Sequence, residues 1–101
     1  MIIYNVTTHL SHDIHNAWVH WMQQIHIPEI MAKECFVKFQ FVRILDTDES
    51  EGVTYAVQFY AENKELYDRY TNLFASALRE EALKRWGSKT IAFRSLMAVV
   101  N

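Results

Sequence analysis

Two runs of alternating side chains, joined by one polar segment, constrain this chain more than any other feature. In residues 36–45 and again in 53–61, one set of alternate positions is mostly apolar, which is the period of a half-buried β-strand. The polar residues 46–52 between them are typical of a turn, so we predict a β-hairpin. Strand patterns at 2–8 and 90–100 complete a set of four.

The segment before the hairpin has the period of a helix. Apolar side chains recur every three or four residues from Ile14 to Ile25, so they share one side of a helix. Ser11 is a suitable N-cap for it. Pro28 predicts that this helix ends near His26, although a proline also fits the first position of a further helical turn.

The segment after the hairpin predicts a second helix, with Asn63 as its N-cap and Gly87 as its C-cap. Its apolar stripe loses phase, because Glu81 would fall inside the stripe. We therefore expect a kink or a restart near Ser76, with Ser76 as a possible new N-cap.

The order strand, helix, strand, strand, helix, strand is that of the α+β, ferredoxin-like fold, β-α-β-β-α-β. We predict a single domain over residues 1–101, with a four-stranded antiparallel sheet and two helices on one face. Two helices cover only one face, and the strand positions assigned to the other face are also apolar. These positions are Val42, Ile44, Ala56, Tyr60, Ala92, Leu96 and Val100. A homodimer with facing sheets would bury them, and a monomer with an apolar surface is the alternative.

Composition excludes several partners. The net charge is −2 and no basic stripe is present, so we expect no binding to nucleic acid. Cys35 is the only cysteine, which precludes an internal disulfide and favours a cytoplasmic location. No apolar run is long enough for a membrane span, and the N-terminus lacks the pattern of a signal peptide.

Blocks along the whole chain resemble one family of uncharacterised short bacterial proteins, described only as a domain of unknown function. The blocks include Trp18 with Trp21-Met22, His26-Ile27-Pro28-Glu29, Gly52-Val53-Thr54-Tyr55, Leu78-Arg79-Glu80-Glu81 and Ala92-Phe93-Arg94. The resemblance implies a ferredoxin-like fold and no established function. At the level of fold the chain is also similar to the dimeric α+β barrel group, which includes cofactor-independent monooxygenases and haem-degrading monooxygenases.

We predict neither a metal nor a cofactor. The histidines lie at positions 9, 12, 15, 20 and 26, without the spacing of a known metal motif. The turn at Asp46 resembles the start of a calcium loop, but Glu51 and Val57 stand where that loop needs glycine and glutamate. The haem-degrading group has a histidine on the second helix, whereas residues 63–87 contain none. Cys35 is expected to pack as a small apolar side chain.

Polar side chains on otherwise apolar strands are the candidates for a site. We expect a pocket between helices and sheet, and its predicted lining is Asn5, Trp21, His26, Tyr55, Gln58 and Arg94. Arg94 has three possible roles: a salt bridge to Glu29, Glu80 or Glu81, a dimer contact, or a bidentate bond to an anionic or carbonyl-bearing ligand.

The function predicted from these residues is a homodimeric small-molecule-binding or interaction domain, with a small apolar ligand. The alternative is a cofactor-independent monooxygenase-like enzyme acting on an apolar or aromatic substrate. In that enzyme Asn5 and His26 would polarise the substrate or transfer a proton, and Arg94 would orient it. A dimer with a purely structural role is the third possibility.

Overall fold

The computed structural model describes residues 1–101 and contains one antiparallel sheet with the strand order β2-β3-β1-β4. The strands are β1 (Ile2–Ser11), β2 (Lys38–Arg43), β3 (Gly52–Ala61) and β4 (Thr90–Ala98). A helix follows β1 and another follows β3. This order confirms the predicted ferredoxin-like fold, and β2 and β3 form the predicted hairpin.

Each helix contains one π-helical turn between two α-helical segments. The first helix comprises His15–Trp21, the π segment Met22–His26, and Ile27–Met31. The second helix comprises Lys64–Tyr70, the π segment Thr71–Ala75, and Ser76–Trp86. Short 3-10 turns at His12–Ile14 and Gly87–Lys89 precede the first helix and follow the second. No helix combines the length and the apolar character needed to cross a membrane.

The prediction that the first helix ends near His26 is wrong, because the helix continues to Met31. The alternative, a further helical turn that begins at Pro28, is close to what forms. Pro28 lies in the first turn of the last α-helical segment, where a missing backbone N–H breaks few hydrogen bonds. The π turn immediately before it ends one α-helical segment and begins the next. Ser11 forms no side-chain cap, and its hydroxyl donates instead to the carbonyl of Lys89.

The irregularity predicted near Ser76 is the π turn Thr71–Ala75, after which the last α-helical segment begins at Ser76. The predicted Ser76 cap does not form, because the helix is continuous there and no side chain caps it. The π turn contains an extra residue, which rotates all later side chains about the helix axis. This rotation explains why the apolar stripe loses phase before Glu81. Both caps predicted for the ends of this helix are confirmed: the Asn63 side chain accepts a hydrogen bond from the backbone N–H of Leu66 at 3.0 Å, and Gly87 ends the helix with φ of +58°.

The core lies between the sheet and the two helices. Aromatic rings surround Tyr4 of β1, with ring centroids 6.2 Å away for Phe36 and Phe59 and 5.8 Å away for Tyr70. Cys35 is buried beside them, as predicted for a small apolar side chain. This cluster fills the space above β1 and β3.

The two faces of β4 are the reverse of our prediction. Paired residues share a face, and β4 pairs Arg94 with Val6 and Ala92 with Thr8, so Arg94 and Ala92 face the helices. Leu96, opposite Tyr4, does so too. Both sets of alternate positions in β4 are apolar, so only its register with β1 determines which set faces the helices.

The open face of the sheet, which no helix covers, remains apolar with this corrected phase. Ile91 and Phe93 of β4 are 58% and 65% exposed on it. Its other apolar members are Ile3, Val42, Ala56, Tyr60 and Met97. Lys38 is the only Lys, Arg, Asp or Glu among the strand residues of this face. The sheet therefore presents a largely uncharged surface to its surroundings.

Candidate functional site

A cavity lies between the two helices and the part of the sheet formed by β1 and β4. It consists of three adjoining spaces of about 40, 80 and 180 Å³. Arg94 lines all three, and His26, Val6 and Thr8 line the two inner ones. Because a space of roughly 10–15 Å³ already holds one water, this cavity is large enough for a small ligand.

His26 enters the cavity from the first helix, as the last residue of its π turn. Its ring stacks on Trp21, with centroids 4.5 Å apart and an interplanar angle of 18°. The Nδ1 atom is buried and has no hydrogen-bond partner. The pKa of His26 is lowered to about 4, mainly by burial, with Glu81 opposing the shift and the Arg94 charge adding to it. His26, which lines the cavity, is therefore a neutral imidazole at pH 7 with a buried nitrogen that has no partner.

Arg94 enters the cavity from β4 and has no carboxylate partner. The predicted salt bridge to Glu29, Glu80 or Glu81 does not form. Glu80 pairs with Lys84 at 3.3 Å, and neither Glu29 nor Glu81 forms a salt bridge. Burial and the neighbouring Glu81 together raise the pKa of Glu29. The Arg94 guanidinium is left as an unpaired cation.

The second helix contributes Trp86 and Arg79. The buried indole N–H of Trp86 has no acceptor, and its ring meets Trp21 edge-on with centroids 5.8 Å apart. Arg79 donates from Nη2 to the hydroxyl of Tyr4 at 2.9 Å. None of Trp86, Tyr4 and Arg79 is among the six residues predicted to line the pocket, although Arg79 belongs to one of the family blocks. Arg79 belongs to a polar stretch of the helix pattern, which gives no indication that its side chain reaches Tyr4.

Three of the six residues predicted to line the pocket are brought together here, namely Trp21, His26 and Arg94. Asn5 and Gln58 are directly paired across β1 and β3, but on the open face of the sheet. Successive strand side chains point to opposite faces, so an odd-numbered residue of β1 cannot reach a cavity lined by Val6 and Thr8.

The open-face amides have partners on their own face. Asn5 Nδ2 donates to Thr7 Oγ1 at 2.9 Å, and Gln58 Oε1 accepts from the Tyr60 hydroxyl at 3.3 Å. Each of these bonds uses one polar atom of the amide, so the other polar atom remains available to a surface that packs on the sheet.

Tyr55 faces the helices but lies outside the cavity. Its hydroxyl bonds to Nε2 of His15 at 2.7 Å, and its ring packs against Trp18 and Phe41. This aromatic group sits toward the β2 side, so Tyr55 does not share a site with Arg94. No three His, Cys, Asp or Glu side chains are grouped as a metal site would require.

Solved structures with the same fold include proteins of several kinds. A dimeric ferredoxin-like protein from an uncultured marine organism matches with a TM-score of 0.75 and 11% identity, over 100% of this chain and 96% of that one. A mutant of SnoaB, a cofactor-independent oxygenase from Streptomyces nogalater, matches with a TM-score of 0.63 and 12% identity, over 99% and 94%. MhuD, as a mutant with two manganese protoporphyrin IX groups per active site, matches with a TM-score of 0.64 and 16% identity, over 98% and 95%. At such identities the likeness shows the fold alone.

The sequence itself gives the family. No curated protein matches the chain. The family described as "Domain of unknown function (DUF4286)" matches residues 1–100, which confirms the resemblance inferred from the sequence blocks. The chain therefore belongs to the DUF4286 family.

Proposed function

We propose that this protein is a homodimer that binds a small ligand with an apolar body in the cavity between its helices and its sheet. The observation behind this proposal is that two buried polar atoms without partners, His26 Nδ1 and Trp86 Nε1, belong to residues lining the same cavity. A buried donor or acceptor without a partner costs about 1–3 kcal/mol. A ligand with one or two polar groups would recover that cost.

The cavity is tested by filling it. Ala82 lines both its middle and its outer space, so Ala82→Phe places a ring where the ligand would lie. Ala77→Phe, on an exposed part of the same helix, is the matched control. The probe is N-phenyl-1-naphthylamine, which is neutral and becomes fluorescent in apolar sites.

We expect the native protein and Ala77→Phe to bind the probe equally, and Ala82→Phe to bind it about tenfold more weakly or worse. Equal binding by all three proteins would place the probe elsewhere and remove the support for a cavity ligand. Circular dichroism checks that each variant is folded.

The open face is proposed as the dimer interface, occupied by a second copy of the chain. It combines exposed apolar side chains such as Phe93 with a near absence of charge, so two copies would meet without strong repulsion. Two twisted sheets pack face to face at a separation of about 10 Å. The dimeric ferredoxin-like protein of the same fold supports this assembly by analogy.

Sedimentation equilibrium tests the interface. Phe93→Glu puts a charge on the β4 part of the open face and is expected to yield monomers. Leu73→Glu changes an apolar side chain of equal exposure on the second helix, 64% against 65%, and is expected to remain dimeric. A native protein that sediments as a monomer, or a dimer broken only by Leu73→Glu, would contradict the proposed interface.

A cofactor-independent oxygenase is the second candidate, and His26 is the observation that favours it. A neutral imidazole with a free nitrogen in an aromatic cavity is able to take a proton from a bound substrate. Arg94 would stabilise the anion so formed, whereas Asn5, on the other face, has no place in this mechanism. SnoaB, with the same fold, supports the idea by analogy.

Dioxygen consumption with a panel of phenols tests this candidate. The native protein should consume dioxygen, and His26→Phe, which keeps a ring on Trp21, should lose most of the rate. An equal rate in both proteins rules out His26 as the base. Probe binding without any consumption leaves the binding function as the better account.

A further inference from the structure

The charged side chains around the cavity are positive. Two arginines line it, Arg79 and Arg94, and no aspartate or glutamate does. Glu81, whose charge acts on both Glu29 and His26, does not line these spaces and forms no salt bridge with Arg94. The walls of the cavity therefore carry positive charge and no carboxylate.

The hydrogen-bond donors of the cavity outnumber the acceptors that they bond to. Arg79 uses one donor on the Tyr4 hydroxyl, while Arg94 has no hydrogen-bond or salt-bridge partner. The indole N–H of Trp86 is a donor that has no acceptor to bond to. Donors are thus in excess, and the group that would satisfy them must be an acceptor with more than one lone pair.

Shape and polarity restrict the rest of the ligand. Eight of the twelve residues around the innermost space are hydrophobic. Seven of the eleven residues around the middle space are hydrophobic too, whereas the outermost space, at about 180 Å³, is open and only three of its seven residues are hydrophobic. A body as large as a phenyl ring fits when it extends from the outer space into the inner ones, where a highly charged or sugar-like body would meet apolar walls.

We propose that the ligand of this cavity is a carboxylic acid with an apolar or aromatic body, whose carboxylate is held by Arg94 in a fork-like pair. This proposal rests on the proposed binding function and specifies its ligand class. A planar guanidinium matches a carboxylate with two parallel hydrogen bonds, which a single lysine cannot do. The Trp86 N–H supplies a further donor, and the rings of Trp21 and Trp86 flank the apolar body.

The experiment compares pairs of probes that differ only in the head group. The first pair is 3-phenylpropanoate and 3-phenylpropanol, and further pairs extend the chain from phenylacetate to 5-phenylpentanoate. Isothermal titration calorimetry at pH 7 gives each dissociation constant. The proteins are the native chain, Arg94→Met, and the control Arg69→Met, which removes the same charge from an exposed position outside the cavity. Arg94→Lys keeps the charge and loses the fork.

The native protein and Arg69→Met should prefer the acid over the alcohol by about tenfold or more, as expected for a hydrogen-bonded charge pair. Arg94→Met should lose this preference while still binding the alcohol, and Arg94→Lys should lie between. Because Arg94 is largely exposed, its replacement should not prevent folding.

Two other outcomes separate the proposals. If acid and alcohol bind the native protein equally, or if Arg94→Met keeps the preference, the carboxylate assignment is overturned while cavity binding stands. If no pair in the series binds, and N-phenyl-1-naphthylamine does not bind either, the proposed binding function fails together with it.

Discussion

Strands β3 and β4 both pair with β1 along nearly its whole length, but their surroundings differ sharply. Every residue of β3 is buried or half-buried, whereas eight of the nine residues of β4 are exposed. The two helices close tightly over β1 and β3 and leave the β4 side open. The interior of one small protein is thus divided into a packed half and an unfilled half.

This difference indicates that the two halves contribute differently to stability and to binding. The packed half is made of aromatic and aliphatic contacts around Tyr4, which stabilise the fold by removing apolar surface from water. The unfilled half contains the unpaired Arg94 and two polar atoms without partners, which do not stabilise the protein alone. We infer that the packed half maintains the fold and that the unfilled half is available for binding.

The largest expected loss of stability comes from a substitution in the packed half. Phe59 and Leu96 lie on either side of Tyr4 in the sheet, and they are 1% and 43% exposed. Phe59→Ala should lower the free energy of unfolding by about 3–5 kcal/mol, because it leaves a cavity in the aromatic cluster. Leu96→Ala, which faces the helices on the less covered β4 side, should lower the free energy of unfolding by about 1 kcal/mol or less. Urea denaturation measures both, and similar losses would refute the division into two halves.

The next effect concerns pH and the unfilled half. The pKa of His26 is about 4 in the folded protein, below its ordinary 6.5, so the unfolded chain binds the proton more readily between these values. Stability is therefore full above pH 6.5 and falls as the pH drops toward 4, by up to about 3 kcal/mol. The raised pKa of Glu29 acts in the opposite sense, since its protonated form is favoured by folding.

The variant His26→Phe isolates the histidine contribution. Denaturation midpoints at pH 7 and pH 4.5 should differ markedly less in this variant than in the native protein. An identical pH dependence in the two proteins would show that His26 is not held neutral by burial.

The smallest expected effect compares the starts of the two helices. Asn63 follows the buried strand β3 and caps the second helix, so Asn63→Ala should cost about 1 kcal/mol. Ser11 precedes the first helix but bonds to the Lys89 carbonyl beside β4 at 3.4 Å, a long contact. Ser11→Ala should therefore change the melting temperature very little. A larger loss for Ser11→Ala would mean that the β4 side is more firmly held than its exposure suggests.

Sequence patterns predicted those parts of the fold that depend on local chemistry. The Asn63 and Gly87 caps, the polar turn between β2 and β3, and the order of elements all follow from local propensities. The family was recognised because its sequence blocks extend over the whole chain.

The patterns failed where the answer depends on distant partners. Both faces of β4 are apolar, so only its pairing with β1 determines that Arg94 faces the helices and Phe93 does not. For the same reason Asn5 and Gln58 seemed to belong with His26, although they lie on the opposite face. Trp86 and Arg79 became visible only once the two helices were placed over the sheet.

The π turns of the two helices have a consequence for how this protein can change. A π turn accommodates one residue more than the α-helical turn it interrupts, and His26 is the last residue of such a turn. Five residues across a π turn and four residues of an α-helix both return close to the same face of the helix. Deleting one residue between Trp21 and His26 would therefore restore a regular α-helix and still leave the two rings on one side of it. A chain of this family can thus lose one codon at this turn and keep the side chains that line its cavity on the same face.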